Sequence, residues 1–274
     1  MSLEDYVQGV VAAEMPALFA PEALKAQAVA ARTYAVRRMR ALGGKGCGRH
    51  PLADVCDDPA HCQAYLPLSA QQLKWGMFDF PANYYKIRGA VESTAGQILT
   101  YGGHVIDPIF HSTCGGQTEY AHKVWANEYP YLISVPCPYC AHSKRLTGTS
   151  TFSLTEVVER VTQWDPTVTV TARALRSRTP PLVILERSDS GRVLSVRVGN
   201  RTIAGTQFRT LFELKSTNFS LTLQAERVVI ATRGFGHGVG MCQFGADGMA
   251  IAGKNFKEIL SHYYRGVEFR QLDP

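Results

Sequence analysis

Charged side chains are scarce in this sequence of 274 residues: they make up 19% of it, against about 25% in an average globular domain. Its apolar runs fall far short of the ~20 residues that a membrane-spanning helix needs. No run of Lys and Arg is longer than Arg37-Arg38. These shortages exclude a disordered chain, a coiled coil and a basic nucleic-acid-binding arm, so we expect no nucleic-acid partner.

A secretory signal is also lacking, because Met1-Ser2-Leu3 leads directly into a helical pattern. Taken alone, this start indicates a cytoplasmic protein, and it equally suits a chain trimmed to a domain. The net charge of +6 suits a polyanionic or cell-wall partner, although such a charge is also common on folded surfaces.

Helical and strand patterns follow one another along the chain without regular alternation, which favours an α+β fold over a doubly wound sheet. Helices are predicted over residues 3–15, 21–39, 84–93, 152–164, 209–215 and 256–264, with another from 241. Strands are predicted over residues 97–101, 105–111, 182–186, 193–199 and 221–231, with a last one from 267.

Glu14 is unusual because it lies inside the apolar stripe of the first predicted helix. At 100° per residue, its side chain is about 20° from that of Leu3, on the side that also carries Val7 and Val10. The ordinary alternative is a carboxylate that reaches solvent from the last helical turn.

Six of the seven cysteines fall into two clusters that also contain histidine. Each cluster offers at least four soft ligands, which favours structural zinc. We predict one site from His50, Cys56, His61 and Cys62, with Cys47 undecided, and a second from Cys114, Cys137, Cys140 and His142.

Disulfides are the alternative to zinc, but they would leave one cysteine over in each cluster and give the histidines no role. Neither cluster contains the His-Glu-x-x-His pattern of many zinc hydrolases, so a catalytic zinc is disfavoured. Cys242 stands apart from both clusters and is interpreted as a packed small apolar residue rather than a nucleophile.

Two glycine-rich turns could present polar side chains into a cleft. One is formed by residues 111–116 and the other by residues 234–240, around His237. The second turn lacks the Gly-Lys-Ser/Thr ending of a phosphate loop, which argues against nucleotide binding. Trp125, Tyr129 and Tyr131 could stack on sugars or belong to the core.

Six segments form a recognisable set: Glu14-Met15-Pro16, residues 24–35, residues 61–65 (HCQAY), residues 111–116 (HSTCGG), residues 204–209 (AGTQFR) and residues 236–246 (GHGVGMCQFGA). Together they resemble the stage II sporulation protein D / amidase enhancer family. The segments stand in family order over nearly the whole chain, and Cys242 replaces a serine that is usual in the family.

The resemblance implies a peptidoglycan lytic transglycosylase that cleaves the MurNAc–GlcNAc bond of glycan strands without stem peptides. Glu14 matches the catalytic acid, and burial in an apolar stripe would raise its pKa as that role requires. The substrate's own C6 hydroxyl can attack C1, so no second carboxylate is needed. Matching positions predicted to bind substrate or orient Glu14 are Gln27, Arg32, Tyr34, Gln63, Tyr65, Ser112, His237 and Gln243.

The alternative that the resemblance leaves open is a non-catalytic glycan-binding enhancer of a cell-wall amidase. The resemblance also implies zinc in the loop from His50 to Cys62, and work outside the cytoplasmic membrane with an export signal or anchor that this chain lacks. Residues 1–274 are expected to form one family unit, with possible sub-lobes at 1–148 plus 228–274 and at 149–227.

Overall fold

The computed structural model describes residues 1–125, 127–177, 179–224 and 226–272 and confirms the α+β class. Its helices and strands, in chain order, are α1 (Leu3–Glu14), α2 (Pro21–Arg38), α3 (Leu68–Glu92), β1 (Gln97–Tyr101), β2 (His104–Val105), β3 (Phe110–His111), β4 (Thr147–Ser153), α4 (Leu154–Trp164), α5 (Ala172–Leu175), β5 (Leu182–Arg187), β6 (Val193–Val198), β7 (Arg201–Ala204), α6 (Gly205–Leu211), β8 (Phe219–Gln224), β9 (Arg227–Arg233), β10 (Met241–Cys242), α7 (Gln243–Ile251), α8 (Phe256–Tyr263) and β11 (Glu268–Gln271).

The chain divides into two compact units, residues 1–110 with 245–274 and residues 111–244. The second unit therefore takes in more of the chain than the sub-lobe predicted at 149–227. The reason is long-range backbone pairing: Thr113 and Phe235 exchange two N–H···O=C bonds of 3.0 and 2.8 Å, and Gly234 donates to the carbonyl of Leu146.

The first unit is built around α2, of whose 18 residues 13 are buried. Most of these are alanines and other small side chains, which let α1, α3 and β1 approach its backbone closely. The helix starts with Pro21, where the missing N–H costs nothing. Strand β1 is the centre of an antiparallel sheet in the order β11-β1-β2, with Gln97 opposite Gln271.

The second unit contains two three-stranded antiparallel sheets, in the orders β4-β9-β8 and β5-β6-β7. Apolar residues from both sheets and from α4 and α6 form one core. Phe208 of α6 lies within it, with its ring centroid 4.6 Å from that of Phe212 and 5.0 Å from that of Phe219. The region predicted as one strand at 221–231 contains the end of β8, at Gln224, and the start of β9, at Arg227, and these two strands pair antiparallel.

Three other predictions from the sequence were wrong in extent. The helix predicted at 209–215 is α6, which begins at Gly205 and ends at Leu211. The helix predicted at 84–93 is only the end of α3, which is broken at Gly76 (φ 67°, ψ 173°). The strand predicted at 105–111 consists of two separate pieces, β2 and β3. Pro108 lies between these pieces and cannot donate a ladder hydrogen bond. Within the described ranges, no helix has the length and apolarity required to cross a bilayer.

Arg32 of α2 is a completely buried cation in the first unit. Its guanidinium donates to both carboxylate oxygens of Glu4 at 2.8 and 2.6 Å, and to the carbonyl of Gln97 at 3.2 Å. The Glu4 side chain is 37% exposed, so the carboxylate of this pair remains partly hydrated. The side chain of Arg32 thus ties α2 to α1 and to β1.

We expect Arg32→Ala to lower the free energy of unfolding by about 2–4 kcal/mol, because it opens a cavity and strands buried carbonyl groups. The matched control is Arg88→Ala, which removes an exposed pair with Glu92 and should cost less than about 1 kcal/mol. Urea unfolding measures both variants. Equal losses would contradict a structural role for Arg32.

Candidate active site and metal-binding groups

Glu14 is the last residue of α1 and is half-buried. The helix ends at Met15, whose N–H donates to the carbonyl of Val11, and Pro16 follows. The backbone N–H of Ala64, fifty residues further along the chain, donates to Oε1 of Glu14 at 2.9 Å. The structure therefore brings the segment at residues 61–65 onto the predicted catalytic carboxyl.

The residues on both sides of Ala64 contact α1. The phenol of Tyr6 donates to Oε1 of buried Gln63 at 3.2 Å, and the rings of Tyr6 and Tyr65 stack with centroids 5.9 Å apart. Burial raises the pKa of Tyr6 well above its ordinary value, so this phenol keeps its proton. Gln63 and Tyr65, predicted to bind substrate or orient Glu14, thus lie directly beside Ala64 in sequence and against α1 in space.

Gly9 permits this close approach, because a Cβ added to it would overlap the ring of Tyr65. We expect Gly9→Ala to lower the free energy of unfolding by about 1–3 kcal/mol through overpacking. The control is Gly89→Ala in α3, where an added Cβ meets nothing within 4 Å. That change should raise the free energy of unfolding by about 0.5–1 kcal/mol, because alanine favours the helix. Urea unfolding measures both changes, and a change of the same sign in the two variants would contradict a close contact at Gly9.

Four soft ligands converge in the part of the chain that leads to Ala64: Cys47, Cys56, His61 and Cys62. Their ligand atoms all lie within 4.8 Å of one another, and we call these four residues the Cys/His group. Nδ1 of His61 is 3.4, 3.3 and 3.4 Å from the three sulfur atoms in that order. In a tetrahedral zinc site, S and N ligands lie roughly 3.5 Å apart, so the donors fit this metal.

The structure corrects one member of this predicted set, because Cys47 takes the place of His50. The carbonyl of His50 accepts the N–H of Ala53, whose own carbonyl accepts the N–H of Cys47. This turn places the Cys47 side chain with the other ligands and leaves His50 exposed.

Three predicted substrate-binding residues of α2 lie within the first unit rather than at its surface. Gln27 and Arg32 are completely buried, and Tyr34 is nearly so. The phenol of Tyr34 donates to the carbonyl of His61 at 3.3 Å, and the guanidinium carbon of Arg38 lies 3.4 Å from its ring centroid. Tyr34 therefore supports the backbone of the Cys/His group.

In the second unit, the two glycine-rich turns are paired and hold two histidines together. Burial, His237 and Arg192 lower the pKa of His111 well below its ordinary value, so its ring is neutral and Nδ1–H donates to the carbonyl of Val239 at 3.0 Å. Nδ1 of His237 accepts the N–H of Val239 at 3.1 Å. Gly236 has φ +109°, and a Cβ there would lie 3.0 Å from that of His111.

His237 also faces a cavity of about 680 Å³ in the second unit. Its lining includes Trp125, Phe235, Arg209 and Glu213. Its volume lies within the range of small-ligand pockets. Trp125 is 41% exposed and its ring centroid is 5.0 Å from that of His237, a position in which it can stack on a ligand.

The backbone at Ser112 lies beside the backbone that follows Gln243, within the second unit. The carbonyl of Ser112 accepts the N–H of Phe244 at 3.1 Å, and its hydroxyl lies 3.4 Å from that of Thr113. Gln243 is buried at the start of α7. Tyr131, considered as a sugar-stacking residue, is buried in the core.

The second predicted metal set is also corrected by one residue. The converging side chains are Cys114, Cys137, Cys140 and Cys242, all buried, and we call them the four-cysteine group. His142 is exposed, with its ring centroid 5.4 Å from that of Phe244. A 3-10 turn over Pro138–Cys140 directs its cysteine inward, whereas His142 lies beyond that turn. None of the seven cysteines, all of which lie in the described residues, forms a disulfide.

The sequence of this chain is similar to those of proteins from one known family. A family model described as stage II sporulation protein matches residues 1–101. Stage II sporulation protein D of Bacillus amyloliquefaciens is 38% identical over 99% of this chain and 75% of its own length. The protein of that name from Bacillus subtilis (strain 168) is 36% identical over the same shares. The chain belongs to the stage II sporulation protein D family.

The family resemblance seen in the sequence is therefore confirmed. The part matched by the family model contains Glu14, Ala64 and the Cys/His group. A protein named amidase enhancer from Bacillus subtilis (strain 168) is 27% identical over 95% of this chain and 40% of its own length. The family thus includes proteins named for sporulation and is similar to one named for amidase enhancement.

The sequence did not predict two contributors, namely the N–H of Ala64 beside Glu14 and the side chain of Cys242 in the four-cysteine group. The N–H of Ala64 could not be found, because a backbone donor leaves no mark in a side-chain pattern. Cys242 had one available signal, namely a cysteine at a position where the family usually has serine.

Proposed function

We propose that this stage II sporulation protein D family member is a peptidoglycan lytic transglycosylase that cleaves the MurNAc–GlcNAc bond of stem-free glycan strands. The observation that carries the proposal is the half-buried Glu14, whose Oε1 accepts the N–H of Ala64. A carboxyl held in this way has one defined orientation for proton transfer.

The reaction needs a single carboxyl group. Glu14 gives its proton to the glycosidic oxygen as the bond from that oxygen to C1 of MurNAc breaks. The C6 hydroxyl oxygen of the same sugar bonds to C1, and its proton returns to the Glu14 carboxylate. The products are a 1,6-anhydro-MurNAc end and a free GlcNAc hydroxyl, and no water is consumed.

The position of Glu14 suits the acid role for two physical reasons. The C-terminal end of a helix carries partial negative charge, which disfavours an ionised carboxylate in the last turn. Partial burial disfavours the charge as well. The Ala64 N–H acts in the opposite direction and favours the carboxylate that forms after the first proton transfer.

The Cys/His group supports this site through the chain that links it to Ala64. We propose that Cys47, Cys56, His61 and Cys62 hold a structural zinc ion. When bound, zinc supplies a tetrahedral anchor and stays closed to substrate, since all four positions are protein ligands. His61 and Cys62 directly precede Gln63 and Ala64, so the anchor fixes the donor to Glu14.

The proposed substrate lies outside the cytoplasmic membrane, and we infer that the natural protein works there on the cell wall. The +6 net charge suits an anionic envelope. Nucleic acid is not a proposed partner.

The products test the reaction class. The protein is incubated with stem-free glycan strands in water labelled with oxygen-18, and the fragments are weighed by mass spectrometry. Anhydro ends without the label are expected. Reducing ends that carry the label would show hydrolysis and would contradict the proposal, as would a complete lack of fragments.

A second candidate function is a glycan-binding enhancer of a cell-wall amidase. The cavity beside Trp125 and His237 favours it, because this pocket can bind a ligand without Glu14, and one relative is named amidase enhancer. A cell-wall amidase assayed with the Glu14→Gln variant decides between the candidates. Full stimulation of the amidase, together with wild-type protein that releases no anhydro ends, would favour the enhancer.

A further inference from the structure

The four sulfur atoms of the four-cysteine group come from three separate segments of the second unit. Cys114 lies in the 111–116 turn, Cys137 directly precedes the 3-10 turn that Cys140 ends, and Cys242 lies in β10. All four ligand atoms lie within 4.8 Å of one another, and the sulfurs of Cys114 and Cys140 are 3.5 Å apart. Disulfide sulfurs are about 2.05 Å apart, whereas sulfurs on a tetrahedral zinc ion are roughly 3.8 Å apart.

Backbone N–H groups point at these sulfurs, as they do around metal-bound thiolates. The N–H of Cys114 donates to Sγ of Cys242 at 3.2 Å, and the N–H of Gly116 donates to Sγ of Cys114 at 3.4 Å. Donors of this kind stabilise negative charge on sulfur and orient the ligands.

A buried cation beside the group supplies an independent observation. Arg192 is 1% exposed, and its Nη2 donates to the carbonyl of Cys114 at 2.9 Å. Nε and Nη1 of this guanidinium are buried and have no hydrogen-bond partner among the described residues. Oε2 of Glu119, an acid close to Arg192, accepts hydrogen bonds from the hydroxyls of Ser188 and Ser190.

A buried guanidinium requires negative charge close to it. One Zn²⁺ bound by four thiolates carries two net negative charges, and the carbonyl of one ligand residue, Cys114, accepts from Arg192. A metal-bound four-cysteine group therefore places negative charge beside Arg192, in addition to the charge of Glu119.

We propose that Cys114, Cys137, Cys140 and Cys242 bind a second structural zinc ion. The ion joins the 111–116 turn, which carries Ser112, to β10, which directly precedes Gln243. It therefore holds these two segments of the second unit against each other. The proposal does not depend on glycan cleavage, because metal content is measured without an activity assay.

Zinc content of the 274-residue protein tests the site. We expect about two zinc ions per chain in the wild type and about one in Cys242→Ser. Serine is close to cysteine in size and shape, so this variant should fold. In a Cys62→Ala background, which disables the Cys/His group, only the four-cysteine group remains, and adding Cys242→Ser should remove the last ion.

Cobalt substitution identifies the ligands. Co²⁺ in the Cys62→Ala protein should give the intense sulfur-to-metal charge-transfer and ligand-field bands of a tetrathiolate site, and Cys242→Ser should weaken and shift them. Zinc content unchanged by Cys242→Ser would overturn the proposal. So would iron in place of zinc, or a mass lower by two hydrogens that shows a disulfide within the group.

Discussion

Glu14→Gln is expected to lower the rate of anhydro-end release by about 10²–10⁴-fold, the usual contribution of a general acid. Glutamine keeps the shape of the side chain and an oxygen that can accept the Ala64 N–H, but it cannot give a proton to the leaving oxygen. The fold should therefore persist while the chemistry fails. Initial rates with stem-free glycan strands, measured by mass spectrometry, give the ratio.

The matched control for this variant is Glu92→Gln, which changes an exposed glutamate at the end of α3. We expect its rate to stay within about twofold of the wild type, since surface substitutions of this kind cost little. Circular dichroism and thermal unfolding check that both variants are folded. A folded Glu14→Gln protein that retains more than about a tenth of the rate would remove Glu14 from the proposed role.

Cys47→Ala is expected to remove about one zinc ion per chain, because it takes one of four ligands from the Cys/His group. The loop that leads to Ala64 then loses its anchor, and we expect glycan cleavage to fall about 10–100-fold. Metal analysis and the same rate assay measure the two effects. Zinc added back to chelator-treated wild type should restore the rate.

His50→Ala is the control that separates the two candidate ligand sets. His50 is exposed and lies outside the group, so its replacement should leave zinc content and rate unchanged. Loss of zinc from His50→Ala with retention in Cys47→Ala would reverse the ligand assignment. Retention in both variants would contradict a zinc site in this loop.

Much of the first unit could be predicted from sequence because its elements are local. The apolar stripe of α1, the alanine-rich α2 and the proline at its start all act within a few turns of one helix. The second unit was harder. Its hairpin at β8 and β9 was predicted as one strand, since residues 224–227 (QAER) contain no Gly, Pro, Asn or Asp to mark where the chain reverses.

The sequence by itself determined the family, the α+β class, Glu14 as the candidate acid and the soft character of the ligands. These depend on residue type and short spacing. Only the tertiary structure decided which ligands converge: Cys47 rather than His50, and Cys242 rather than His142. It also placed the N–H of Ala64 on Glu14. These contacts join segments far apart in sequence or use backbone atoms, so their geometry is fixed by packing and long-range hydrogen bonds.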